Sequence, residues 1–310
     1  MSLGASDWQE GKLRSRLAIR SLARVRGFAV RFASVALLAG ISALASAAVV
    51  EEVVDVPVSV RTLYGQEVRQ TIKVTIFRDD RREKSPYLVL NHGRPASEAD
   101  FAKMKRQRYS ANAKYFVGKG FVVLVPTRVG YGDSGGPDVE YSGKCAARDF
   151  SPVYAAAAEQ TLATLQFATG LPYVDTSRGI VVGQSFGGMT AIALASLNVS
   201  GLLGAVNFAG GGGGNPVDHP ANPCSSHRLG SVFKDYGKTA KVPTLWLYSE
   251  NDRYFGAELP KVWFEGFIKA GGHGHFVQLP PYKEDGHASF SGNPEAWHAH
   301  FEIFLQDIGL

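Results

Sequence analysis

A serine with a glycine two residues to either side stands in Gly183-Gln184-Ser185-Phe186-Gly187-Gly188, directly after the apolar run Ile180-Val181-Val182. A strand that turns sharply into a helix at such a motif lifts its serine hydroxyl clear of the backbone. The glycines let strand and helix pass closely, and the serine backbone is expected to be strained. The helix N-terminus beside it favours developing negative charge. A serine hydroxyl is a poor nucleophile until a base takes its proton, and the base needs a carboxylate to orient it. Residues 243–248 read as a strand running into Ser249-Glu250-Asn251-Asp252, which offers two acids. Asp252 is the expected partner because it reaches further past the strand end, and Glu250 is the alternative. The base is expected to be His287, in the loop between a last strand at 275–279 and a closing helix. His273 and His275 come too early, and His298 and His300 fall within the helix. A tetrahedral intermediate needs two backbone donors. The Phe186 N–H is one, and the Arg94 N–H in Asn91-His92-Gly93-Arg94-Pro95 is the other, since Pro95 cannot donate.

The elements that would hold these residues follow from hydrophobic patterning. Residues 53–60 and 68–77 alternate apolar and polar side chains around Leu63-Tyr64-Gly65-Gln66, which reads as an antiparallel hairpin. Strands at 87–90, 121–125, 179–182, 204–208, 243–248 and 275–279 then alternate with helices at 98–119, 152–168, 185–197, 226–236, 258–270 and 295–306. That rhythm is the mark of an α/β fold: a mostly parallel central sheet with helices on both faces. Lys103, Lys105, Arg106 and Arg108 read as the solvated face of the first helix.

The chain of 310 residues carries a formal charge of +5, and the excess sits at the front. Residues 1–47 hold seven basic and two acidic groups, leaving 26 of each in the remainder, so a nucleic-acid partner has no support. An Arg-rich start, an apolar run from Phe32 to about Leu44 and Ala45-Ser46-Ala47 make a secretory signal peptide of 1–47. Residues 48–310 form one catalytic domain with a small lid around 210–240. The expected location is periplasmic or extracellular, with no stable membrane partner after cleavage; an uncleaved anchor is the alternative. Cys145 and Cys224, an even pair in an exported chain, suit one disulfide, against two separate buried thiols. His219 and His227 flank Cys224 without a zinc-ligand spacing, so no metal is expected. The Gly210 to Gly214 run lacks the Lys-Ser/Thr of a phosphate loop and reads as a flexible turn.

Taken together, Gly183 to Gly188, His92-Gly93-Arg94-Pro95, Gly130-Tyr131-Gly132-Asp133-Ser134-Gly135-Gly136, Asp252 and Gly286-His287 resemble an α/β-hydrolase, nearest to the dienelactone-hydrolase-like branch. The resemblance runs from Val53 to the C-terminus. It implies the order Ser185, Asp252, His287 and an ester-cleaving serine hydrolase with no metal or organic cofactor. Dienelactone hydrolases carry a cysteine nucleophile where this chain has Ser185, which favours general ester chemistry on a small-molecule substrate. The pockets are expected from loops 131–150 and 210–230, with Tyr131 in the substrate pocket. The rival readings are a peptidase or amidase of the prolyl-oligopeptidase branch and a non-catalytic binding protein; the first usually adds a propeller, and the second usually loses a triad member.

Overall fold

The computed structural model describes residues 49–101 and 103–310, so the leader lies outside the described residues. Eight strands form one sheet: β1 (Val49–Arg61), β2 (Glu67–Asp79), β3 (Ser85–Asn91), β4 (Val122–Thr127), β5 (Val174–Gln184), β6 (Leu202–Phe208), β7 (Thr244–Ser249) and β8 (Gly274–Leu279). Their order is β1-β2-β4-β3-β5-β6-β7-β8. β1 and β2 make the expected hairpin, β2 joins β4 antiparallel, and every other pairing is parallel. The helices are α1 (Glu98–Phe101), α2 (Ser110–Gly118), α3 (Ser151–Ala168), α4 (Phe186–Ser196), α5 (Ser226–Gly237), α6 (Leu259–Lys269), α7 (Ser289–Gly292) and α8 (His298–Asp307).

Because successive side chains of a strand face opposite ways, the continuous apolar runs of β3 and β5 feed two cores. Val89 and Val181 pack in one core with α3 to α6, whereas Leu88, Leu90, Ile180 and Val182 pack in the other with Phe116 of α2 and Phe301 and Phe304 of α8. Trp246 of β7 is fully buried against Phe233, Phe264 and Phe267. This sandwich puts the ends of β3, β4, β5, β7 and β8 along one sheet edge, where the loops carrying Arg94, Ser185, Asp252 and His287 emerge.

The structure departs from the patterning in three places. The expected helix over 98–119 is broken: only α1 and α2 are helical, and Tyr109 between them has a left-handed φ of 46°. The interruption is held by side chains rather than left to solvent. The Gln107 N–H donates to Thr127 Oγ1 (2.8 Å), the Gln107 carbonyl accepts from Thr75 Oγ1 (3.0 Å), and Arg106 and Arg108 both pair with Glu51 of β1. The closing helix likewise starts later than expected, as α8, after a short turn at Pro294–Ala296. Lastly, 210–240 is not a lid as a whole, because α5 buries Leu229, Val232 and Phe233 in the core and only the loop before it borders the site.

Cys145 and Cys224 form a disulfide across a sequence separation of 79, with their Cα atoms 4.9 Å apart. The bond joins the excursion after β4 to the one after β6, and Ser225 Oγ donates to the Cys145 carbonyl (2.8 Å) beside it. Closing a loop of that length stabilises the folded state by about 4 kcal/mol in the chain-entropy model. The expected outcome is that denatured, unreduced protein shows no titratable thiol and that reduction lowers the melting temperature; two thiols per chain would contradict the bond.

Candidate active site

Ser185 leaves β5 with φ 58° and ψ −122°, a conformation that costs a non-glycine residue energy. Close passage of the chain enforces it: a Cβ on Gly183 would lie 1.9 Å from the Gly187 carbonyl oxygen, and one on Gly187 would lie 2.1 Å from the Asn91 oxygen. Backbone bonds then lock the turn. The Ser185 N–H donates to the Phe208 carbonyl (2.8 Å), and the Ser185 carbonyl accepts from Gly188 (2.8 Å) and Gly211 (3.2 Å).

His287 and Asp252 meet at the same edge. Nδ1 of His287 lies 2.9 Å from Asp252 Oδ2, and Asp252 Oδ1 accepts the N–H groups of Tyr254 (2.8 Å) and Phe255 (3.0 Å). A carboxylate only accepts, so Nδ1 carries the ring proton and the lone pair sits on Nε2. That Nε2 is buried without a hydrogen-bond partner, and His287 and Ser185 line the same cleft. Tyr254 stacks on the imidazole at 4.0 Å between centroids, and the His287 N–H donates to Asp285 Oδ1 (2.9 Å). The stacking holds the ring, and the backbone bond holds the chain that carries it. Glu250, the alternative acid, is exposed and makes no ion pair with His287.

The loop after β3 carries Arg94, whose N–H is the second donor expected from the sequence. His92 is fully buried; its Nε2 accepts the Arg128 N–H (3.1 Å), so its Nδ1–H donates to the Gly93 carbonyl (2.7 Å). Burial, with the Arg128 cation behind it, holds His92 well below the usual imidazole range, so it stays neutral. Tyr109 accepts the Gly93 N–H (3.4 Å) and donates to Gln184 (3.2 Å), which ties this loop to the serine turn. The N–H groups of Arg94 and Phe186 donate to no protein acceptor among the described residues. They remain free for a negatively charged oxygen.

Ser185 also borders a second cavity of about 220 Å³, lined by Arg94, Glu140, Arg148, Phe186, the glycines 211–214 and Phe255. Tyr131 does not line it, contrary to expectation. It is fully buried behind the wall, donating to Glu140 Oε2 (2.6 Å) and accepting from Arg94 Nη1 (3.2 Å). The Arg94 side chain is bound bidentately by Asp138 (2.7 and 2.5 Å), and Glu140 is paired with the buried Arg128. Sequence reading missed Tyr254, Asp285, Arg128, Glu140 and Arg148. Of these, Arg148 carried a signal, being three residues from Cys145 in the segment that the disulfide pins. The two sulfurs and His219 lie within 4.8 Å of one another, but bonded to each other the cysteines offer no thiolate to a metal.

Comparison with known proteins agrees with this architecture. The family model described as "Alpha/beta hydrolase family" matches residues 88–299. No curated protein is significantly similar in sequence. Among solved structures, the chain is similar to a dienelactone hydrolase-like promiscuous phosphotriesterase from metagenomic libraries, at 16% identity and TM-score 0.53, over 83% of this chain and 98% of that one. It is similar to an esterase from Pyrococcus furiosus at 15% identity and TM-score 0.52, over 83% and 91%. An acylaminoacyl peptidase from Pyrococcus horikoshii matches at 12% identity and TM-score 0.52, over 83% of this chain but 41% of that one. At these identities the likeness speaks for the fold alone.

If the carboxylate facing His287 sets the tautomer and offsets its charge, Asp252→Asn lowers kcat by about 10⁴-fold, the size of effect seen in another serine triad. Glu250→Gln leaves kcat within a few fold. Steady-state hydrolysis of a chromogenic ester by the two purified variants makes the comparison, and the reverse order would move the orienting role to Glu250.

Proposed function

The chain belongs to the alpha/beta hydrolase family, and from that membership we propose that it is an exported serine hydrolase cleaving carboxylic esters of small molecules, with Ser185 as nucleophile, His287 as general base and Asp252 as the orienting acid. One observation carries the reading: the His287 Nδ1 to Asp252 hydrogen bond leaves an unpaired Nε2 in the cleft that Ser185 lines.

In the first half-reaction Nε2 takes the Ser185 proton as Oγ attacks the ester carbonyl. The negative charge collects on the former carbonyl oxygen, where the Phe186 and Arg94 N–H groups receive it. Preorganised donors of this kind are worth about 10²–10³ in rate each. The tetrahedral intermediate then collapses: the carbon–oxygen bond to the alcohol breaks, and the alcohol leaves with the proton from His287. Water enters, gives its proton to Nε2 and attacks the acyl-enzyme, and collapse returns the proton to Ser185 with release of the acid. Each step uses backbone amides and the three side chains alone. Export is supported by the Arg-rich and apolar leader pattern and by the Cys145–Cys224 disulfide.

A panel of chromogenic esters of graded acyl length, run beside an aminoacyl anilide, tests the reading. Wild-type protein turns over the esters in preference to the anilide, and Ser185→Ala loses about six orders of magnitude of turnover, as in another serine triad, while keeping its circular dichroism spectrum. A Ser185→Ala variant with more than a few per cent of wild-type turnover removes the nucleophile assignment. Preference for the anilide would make the protein an amidase or peptidase.

A further inference from the structure

The wall of the 220 Å³ cavity holds one guanidinium too many. Three charged side chains line it, and two are compensated: Arg94 by Asp138, and Glu140 by Arg128. Arg148 has no carboxylate within ion-pair distance among the described residues. Its Nη1 donates to Ser142 Oγ (2.9 Å), and its Nε is buried with no partner at all. Loss of solvent on burial, and next the nearby Arg94 cation, pull its pKa below the ordinary arginine value. A half-buried cation without a counter-charge is a cost to the fold unless something brings the charge to it.

Arg148 is held in place before any ligand arrives. Its own N–H donates to Ser225 Oγ (3.3 Å), the same Ser225 that donates to Cys145, next to the Cys145–Cys224 bond. Preorganisation of this kind lowers the ordering cost of binding.

The two spaces meeting at Ser185 are chemically distinct. His287 gives its proton to the leaving alcohol, so the alcohol departs through the cleft His287 lines with Met104 and Tyr109. The other cavity, with Phe186 and Arg148, receives the acid half. We propose that Arg148 is the specificity-determining residue for esters whose acid half ends in a free carboxylate, that is, monoesters of dicarboxylic acids. The proposal rests on the ester-hydrolase reading above and names its substrate class.

The test compares monomethyl glutarate and monomethyl adipate with methyl pentanoate and methyl hexanoate, neutral esters of matched length, by pH-stat titration of wild-type, Arg148→Gln and Arg148→Lys protein. The ratio of kcat/KM for the carboxylate-bearing ester to that for its neutral match is expected to fall about tenfold to a hundredfold in Arg148→Gln, the size of one charged hydrogen-bonded contact, chiefly through KM, with partial recovery in Arg148→Lys. An unchanged ratio overturns the proposal. A second readout needs no turnover: calorimetric binding of monomethyl adipate to Ser185→Ala is expected to weaken by a similar factor when Arg148→Gln is added, and equal affinities count against it. Wild-type protein that hydrolyses none of the esters, while Ser185→Ala still binds the adipate through Arg148, removes the esterase reading and keeps the anion site. Hydrolysis of all of them with equal ratios in wild type and Arg148→Gln does the opposite.

Discussion

The backbone of Ser185 is the constraint on which the site depends. A serine at φ 58° and ψ −122° costs about 1–3 kcal/mol and persists only where its surroundings over-determine it. Here they do so through contacts that admit no side chain at Gly183 or Gly187 and through backbone hydrogen bonds on both the Ser185 N–H and its carbonyl. One of those bonds, from Gly211, ties the glycine run that lines the 220 Å³ cavity to the Ser185 turn itself. The position of Ser185 and the shape of that cavity are therefore set by one piece of backbone. The Phe186 N–H comes free by the same geometry, since the first amides of α4 have no partner within the helix.

Around that turn the polar groups form a layered support. Arg128 touches three parts of it: its N–H fixes the His92 ring, its Nη1 donates to the His92 carbonyl (2.9 Å), and its guanidinium pairs with Glu140. Removing one partner of a buried pair such as Arg128–Glu140 costs about 3–5 kcal/mol, because the other charge is stranded. Tyr131 links Glu140 to Arg94, so the loop bearing Arg94 is braced through buried side chains. The same bracing leaves Arg148 as the cation at the cavity wall with no carboxylate of its own.

The sheet and the nucleophile turn were legible in the sequence because their signals are local: apolar runs of strand length, and a glycine–serine–glycine spacing directly after one of them. Asp252 and His287 were legible by position relative to strand ends, and the structure brings their side chains into contact. What failed to show was set by long-range pairing. Nothing between 98 and 119 announces that Thr75, Thr127 and Glu51 capture the chain at Arg106 to Arg108 and interrupt the helix there. Tyr131 sits in a glycine-rich loop and was expected in the substrate pocket, yet its hydroxyl finds Glu140 nine residues on and its ring is drawn inside. Pairings of that kind depend on where loops cross in space, which periodicity does not encode.

Covalent labelling tests the central claim, that Ser185 is an activated nucleophile, most directly. Purified protein is treated with a fluorophosphonate, digested and mapped by mass spectrometry, with Asp252→Asn and heat-denatured protein alongside. One adduct per chain on the peptide bearing Ser185, lost on denaturation and much slowed in Asp252→Asn, is the predicted result. Labelling that falls elsewhere, or that reaches Ser185 no faster in folded than in denatured protein, would contradict it.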